Sequence, residues 1–334
     1  LEQSKFMKKI LNKFINKKNL NKKLFTPGPA SLLYENISAI EPCFGRGDNQ
    51  YQKIENSVLN RLKRISNHKH IARMQGAASF ALEVMINNFI YGKVLIIKTG
   101  VYSDRLLSMS KASKINFRKI KKIDYIDHHN LEDIYKKYDW VLGCPVETSI
   151  GLKIPISKLQ KLKKRCHAKL ALDATASIGL EVDHGFADVL GYSSCKGLFG
   201  LTGAAFVAFN SPPSNSINQF NLNIYNHLEK KMTGPYHSIY SLYEVLNNYN
   251  DFKYAVIVNK KVFLKKMSNY LNYKIEQQPN LCTLVNKKII KKDKKTILYQ
   301  SRADITGSVV CHLGEVHLKR KAKGEIINSI KIAK

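Results

Sequence analysis

Five short apolar runs, each closing on a polar or glycine-bearing turn, restrict what this chain can fold into. Residues 93–98 (KVLIIK) end at Thr99-Gly100, and Trp140–Gly143 (WVLG) leads into the loop 145–151. Residues 170–172 end at Asp173, and 189–192 end at Ser193-Ser194. Ala204–Phe209 (AAFVAF) follows the glycine-rich stretch GLFGLTG. Runs of this length read as buried strands. Between them the apolar spacing predicts helices over 52–65 (Ile54, Val58, Leu62, Ile65), over 79–90, from near Ser103, and over 157–166. Short strands alternating with helices imply an α/β fold, with a mostly parallel sheet covered on both faces.

The pattern changes after Ser211-Pro212-Pro213. Residues 217–231 are polar, a helix is expected over about 238–246, and from about 250 the chain is lysine-rich with short elements. This divides it into a basic segment at 1–23, a large domain at 24–245 and a smaller α+β domain at 246–334. Within the last, 287–295 (KKIIKKDKK) is a charge run expected to form a solvated loop or edge. Residues 7–23 are basic and weakly amphipathic; a solvated lysine-rich helix is the favoured reading and a targeting segment the other. No apolar run reaches the roughly 18 residues that span a bilayer, so no membrane partner is expected.

The net charge of +30 raises nucleic acid as a partner. The lysines, however, are spread along the whole chain among many Asn and Ile residues, and no RNP signature, zinc-finger spacing or basic-region heptad occurs. The charge is read instead as favouring small anionic ligands. The six cysteines contain no C-x-x-C pair, which argues against a structural metal site and suits a reducing, cytoplasmic setting.

Ligands of open α/β sheets gather at the carboxyl ends of the strands, and polar residues fall there in this chain. Gly76-Ala77-Ala78-Ser79 precedes a helix, and such a turn offers free N–H groups and a helix dipole to a phosphate. Tyr102 follows a strand end, where it is either a core residue or a platform for a flat ring. Thr148 lies in the loop after Cys144-Pro145. Asp173 closes an apolar strand in LDATASIG, where its carboxylate is either a helix cap or the partner of a protonated ring nitrogen. Lys196 sits in Ser193-Ser194-Cys195-Lys196-Gly197, between a strand end and a glycine-rich turn, which suits an amine that forms Schiff bases.

In order, TPGPA, QGAASFALE, GVYSDR, ETSIGL, LDATASIG, SSCKG and GAAFV resemble the class V, fold-type I aminotransferases that use pyridoxal 5′-phosphate (PLP). QGAASFALEVM and TGPYHS are most similar to the 2-aminoethylphosphonate–pyruvate branch, with the alanine–glyoxylate and serine–pyruvate enzymes as near relatives. The resemblance covers about residues 24–245 and, weakly, the segment around His312-Leu313-Gly314-Glu315-Val316. It implies a large domain with a seven-stranded, mostly parallel sheet between helices, and a smaller C-terminal domain. It also implies that Lys196 carries PLP as a Schiff base, that Asp173 pairs with the pyridinium nitrogen and that Tyr102 stacks on the ring. Thr148 is implied near the phenolic oxygen, Gly76, Ala77, Ala78 and Ser79 at the phosphate, and Ser194 beside the lysine. Thr233 is implied to reach the phosphate of a neighbouring subunit, hence a homodimer with shared sites.

The implied reaction moves an amino group from a small primary amine, 2-aminoethylphosphonate-like or an amino acid, to an oxo acid such as pyruvate. A lyase or desulfurase of the same fold, and a non-catalytic binding protein, are the alternatives. One departure bears on the substrate. The family pattern F-R-I-G-x-x-G-E carries an anion-gripping arginine, and this chain has Val309 in its place. Arg302 lies upstream and is not assigned the role; Arg46, in FGRGDNQY, is the substrate-binding candidate.

Overall fold

The computed structural model describes residues 2–29, 32–43, 45, 47–314, 316 and 326–333. Its centre is a seven-stranded sheet: β1 (His70–Gln75), β2 (Gly92–Lys98), β3 (Ile120–Asp127), β4 (Trp140–Gly143), β5 (Lys169–Asp173), β6 (Val189–Ser193) and β7 (Ala204–Phe209). The spatial order is β3-β2-β4-β5-β6-β7-β1. Only β7 runs against its neighbours. The α/β class and the seven-stranded, mostly parallel sheet therefore stand as expected.

Alternation along the strands builds two cores, because successive side chains leave opposite faces of a sheet. Leu95, Ile97, Val141, Leu170, Leu172, Leu190 and Phe206 face one core. Val94, Ile96, Trp140, Leu142, Ala171, Val189 and Val207 face the other. The first is covered by α1 (Asn49–Ser66), α4 (Ile156–Arg165) and α5 (Tyr236–Val245), through residues such as Val58, Leu159 and Leu242. The second is covered by α2 (Ala78–Phe89) and α3 (Val101–Phe117), through Leu82, Met85 and Leu106. Both faces are dry, which is why the central strands read as unbroken apolar runs.

Two strands do not show as such runs. β3 is an edge strand whose Lys121 and Lys122 are exposed. Strand β1 carries Arg73, buried at 4% exposure, in the middle of its span. That charge is tolerated because Glu55 of α1, itself fully buried, accepts from Arg73 Nε at 2.7 Å and also pairs with Lys230 and Tyr51.

Beyond α5, helix α6 (Tyr249–Lys266) packs on short paired strands. Cys282–Val285 pairs antiparallel with Ser308–Cys311, and Ile289–Lys291 pairs with Ile330–Ile332. The charge run at 287–295 thus includes an edge strand, anchored by the buried Ile289. Lys23–Phe25 pairs in parallel with Thr296–Leu298, so the start of the chain sits with its C-terminal part. The basic N-terminal segment forms a helix, Glu2–Asn19, that buries Ile15 and exposes Phe14, Lys8, Lys9, Lys13, Lys17 and Lys18. Among the described residues no helix is long and apolar enough to cross a membrane.

The turn after β5 is pinned by His184, 3% exposed, whose Nε2 lies 2.9 Å from Ser177 Oγ. Burial pushes the imidazole down to about 4. The unfolded imidazole takes up a proton below about 6.5. The unfolded state therefore binds more protons between these values, and stability falls as pH falls through that window. Chemical denaturation of wild type and His184→Gln between pH 7 and pH 4 should show a steeper acid loss in wild type, by on the order of 3 kcal/mol. Parallel slopes would contradict the assignment.

Candidate active site

The carboxyl ends of β1, β2, β4, β5 and β6 all open on one cavity of about 410 Å³. It is lined by Gly76, Ala77, Ala78, Ser79, Tyr102, Thr148, Asp173 and Lys196. Residues from five separate sequence segments are thus brought together. Each arrives by the same route: a buried strand ends, hydrogen bonding along the sheet stops, and the next residues turn over the sheet edge.

Lys196 leaves the turn after β6 with its Nζ 5.3 Å from the centroid of the Tyr102 ring. Its stem runs against Gly28 of the TPGP turn. A Cβ at Gly28 would stand 2.9 Å from Lys196 Cγ, and the backbone there has φ +135, a conformation glycine tolerates. Asp173 is 5% exposed and accepts from Thr175 N at 3.0 Å through Oδ1. No described residue hydrogen-bonds its Oδ2.

The phosphate-type turn has the expected form. Ala77 caps α2 without a side-chain hydrogen bond, so the first N–H groups of the helix have no intrahelical acceptor. Glycine at position 76 is held by its N–H to Gly203 O at 3.0 Å, with φ +156. Two buried hydroxyls on the cavity wall, those of Thr148 and Thr175, have no hydrogen-bond partner among the described residues. Unpaired buried hydroxyls are costly unless a ligand completes them. An anion-receptive helix start, a lone carboxylate oxygen, an aromatic face, two orphan hydroxyls and a lysine suit a flat, phosphorylated, nitrogen-bearing aldehyde.

Some expected residues fall elsewhere. Ser194 does not line the cavity: its hydroxyl is committed to the carbonyls of Leu201 and Ala204. Thr233 is exposed and outside the cavity. Arg46 lies outside the described residues, as does Glu315. Val309 is a core residue, 3% exposed, opposite Leu284. Cys144 lines the cavity, but burial pushes its thiol well up and its Sγ donates to Val146 O at 3.2 Å, which leaves it a poor nucleophile.

Sequence reasoning missed Glu147, which is fully buried. Its Oε2 accepts from Tyr102 N at 3.0 Å, Ser103 N at 3.4 Å and Thr99 Oγ1 at 3.3 Å. Its Oε1 accepts from Ser149 N at 3.2 Å and Ser149 Oγ at 2.5 Å. Burial pushes the carboxyl above its usual range, against the pull of the Ser149 and backbone hydrogen bonds. The only local signal is an acidic residue inside an otherwise uncharged loop.

The strand order with its single reversed strand, and a lysine just past β6 facing the ends of four others, define the fold of the fold-type I PLP transferases. The solved structures agree. An aspartate aminotransferase of subgroup IV from Thermus thermophilus superposes with a TM-score of 0.75, at 15% identity, over 91% of this chain and 96% of that one. Alanine–glyoxylate aminotransferase from Nostoc sp. gives 0.73, at 17% identity, over 92% and 95%. In sequence, the chain is similar to 2-aminoethylphosphonate–pyruvate transaminase of Pseudomonas aeruginosa, 26% identical over 253 residues, which cover 68% of each chain. No family model matches.

Glu147→Ala would leave buried donors on the Tyr102 turn and the Thr148 loop unpaired, at a cost on the order of 3 kcal/mol. Urea denaturation at neutral pH should show that loss. A variant as stable as wild type would mean that Glu147 does not hold these segments.

Proposed function

We propose that this chain is a PLP-dependent aminotransferase that moves an amino group from a small primary amine, 2-aminoethylphosphonate-like or an amino acid, to an oxo acid such as pyruvate. One observation carries the reading: Lys196, Asp173, Tyr102, Thr148 and the Gly76–Ser79 turn line one cavity. Relatives named as transaminases and a fold shared with aminotransferases support the same class.

In this reading Lys196 Nζ holds the cofactor aldehyde, and the free N–H groups at the start of α2, with Ser79 Oγ, hold its phosphate. Tyr102 stacks on the ring and Thr148 donates its orphan hydroxyl to the ring oxygen. The free oxygen of Asp173 keeps the ring nitrogen protonated. PLP, when bound, supplies the electron sink for the charge that develops at the donor carbon. The free amine of Lys196 would be the base that takes the proton from the donor carbon and the acid that gives it back on the far side of the bridging nitrogen. The dry walls formed by Leu82 and Val146 exclude water around this transfer. The reading includes a homodimer, in which Thr233 serves the neighbouring copy's phosphate. It also includes a cytoplasmic setting, which six free cysteines suit.

The test is the visible spectrum of the PLP-loaded chain against 2-aminoethylphosphonate, alanine, serine, glutamate and cysteine. One amine should bleach the cofactor band and an oxo acid should restore it. Lys196→Ala should lose multiple turnover by at least about a thousandfold. Turnover comparable with wild type in that variant would refute the assignment.

A further inference from the structure

The position at which the family pattern places an anion-gripping arginine is filled here by Val309, and its side chain is packed into the core. Two other guanidiniums line the Lys196 cavity instead: Arg105 and Arg302. Arg105 begins the second turn of α3, and its guanidinium stands 5.0 Å from the centroid of the Tyr102 ring. Neither arginine forms an ion pair or a hydrogen bond within the described residues. Among the described residues, the charged ones on the cavity wall are Lys196, Arg105 and Arg302 against the single acid Asp173. With Asp173 and Lys196 committed to the cofactor, two unpaired cations remain.

Arg302 is exposed, yet it lines the cavity and its segment is tied to the site. Ser301 Oγ donates to Ser149 O and accepts from Ala303 N at 2.9 Å, which fixes the backbone on both sides of Arg302. Ser149 is in turn bonded to Glu147, and Glu147 holds the backbone of Tyr102. One continuous hydrogen-bond chain thus sets the Arg302 loop relative to the ring on which Arg105 lies. Two guanidiniums presented to one cavity without an internal anion are a receptor for an external one.

We propose that Arg302, seconded by Arg105, is the anion-recognition residue of this site and takes the phosphonate or carboxylate of the amine substrate. The pair selects donors with an anionic tail and favours a dianion over a monoanion. This rests on the aminotransferase reading for the identity of the donor, but not for the anion site itself.

The test is calorimetric titration of the PLP-loaded full chain with methylphosphonate, acetate and n-propylamine, for wild type, Arg302→Ala, Arg302→Lys and Arg105→Ala. A lost charge-assisted pair corresponds to about a tenfold or larger change in affinity. Arg302→Ala should therefore weaken methylphosphonate at least about tenfold. Acetate should weaken less, n-propylamine should be unchanged, and Arg302→Lys should recover only part of the loss, since a point charge lacks the guanidinium fork. An intact visible band in each variant shows that the cofactor site has survived. Methylphosphonate binding equal to wild type in Arg302→Ala would overturn the proposal, as would an equal loss for the neutral amine. Failure of the wild type to take up PLP would refute the aminotransferase reading by itself, while the comparison of wild type with Arg302→Ala would still decide the anion site.

Discussion

The buried carboxylate of Glu147 joins three stretches of chain that have no covalent reason to meet. One oxygen collects Thr99, Tyr102 and Ser103, and the other collects Ser149, whose carbonyl receives Ser301. A fully buried carboxylate is costly to desolvate, and only this density of donors makes it tolerable. The consequence is geometric. The ring of Tyr102, the hydroxyl of Thr148 and the loop of Arg302 are all set relative to one another by the same acid. The sheet supplies the coarse convergence of strand ends, and Glu147 supplies the fine placement over them.

Much of this architecture is legible in the amino-acid sequence itself. β2, β4, β5, β6 and β7 are readable because both faces of the sheet are covered, so each strand is a short unbroken apolar run. Asp173 and Lys196 stand out because they close or follow apolar strands at the carboxyl ends, where ligands of open α/β sheets gather. β1 and β3 escape for opposite reasons. β3 is an edge strand with exposed lysines, and β1 hides Arg73 behind the pairing with Glu55, which is eighteen positions away in sequence. Glu147 is illegible because its partners are mostly backbone N–H groups, which carry no residue identity. Arg302 reaches the cavity through the contact of Ser301 with Ser149, 152 positions apart. No local pattern encodes such a pairing.

The two halves of the site differ in how they depart from their relatives. Most residues suited to the cofactor line the cavity as the motifs lead one to expect, but Ser194 serves the turn and Thr233 lies outside the cavity. On the proposed substrate side, Val309 at the strand position of the expected arginine is a core residue, while Arg105 of α3 and Arg302 of the loop before that strand line the cavity. The anion contact proposed here makes modest geometric demands, because an anion needs only a guanidinium within reach. The ring, by contrast, needs several groups held in fixed mutual geometry.

Every cofactor role proposed for the cavity depends on Lys196 holding the cofactor. Borohydride reduction of the PLP-loaded chain, followed by peptide mass mapping, tests this most directly. A phosphopyridoxyl mass is expected on the peptide containing Lys196 and on no other. That mass on a different lysine, or on none, would contradict the assignment.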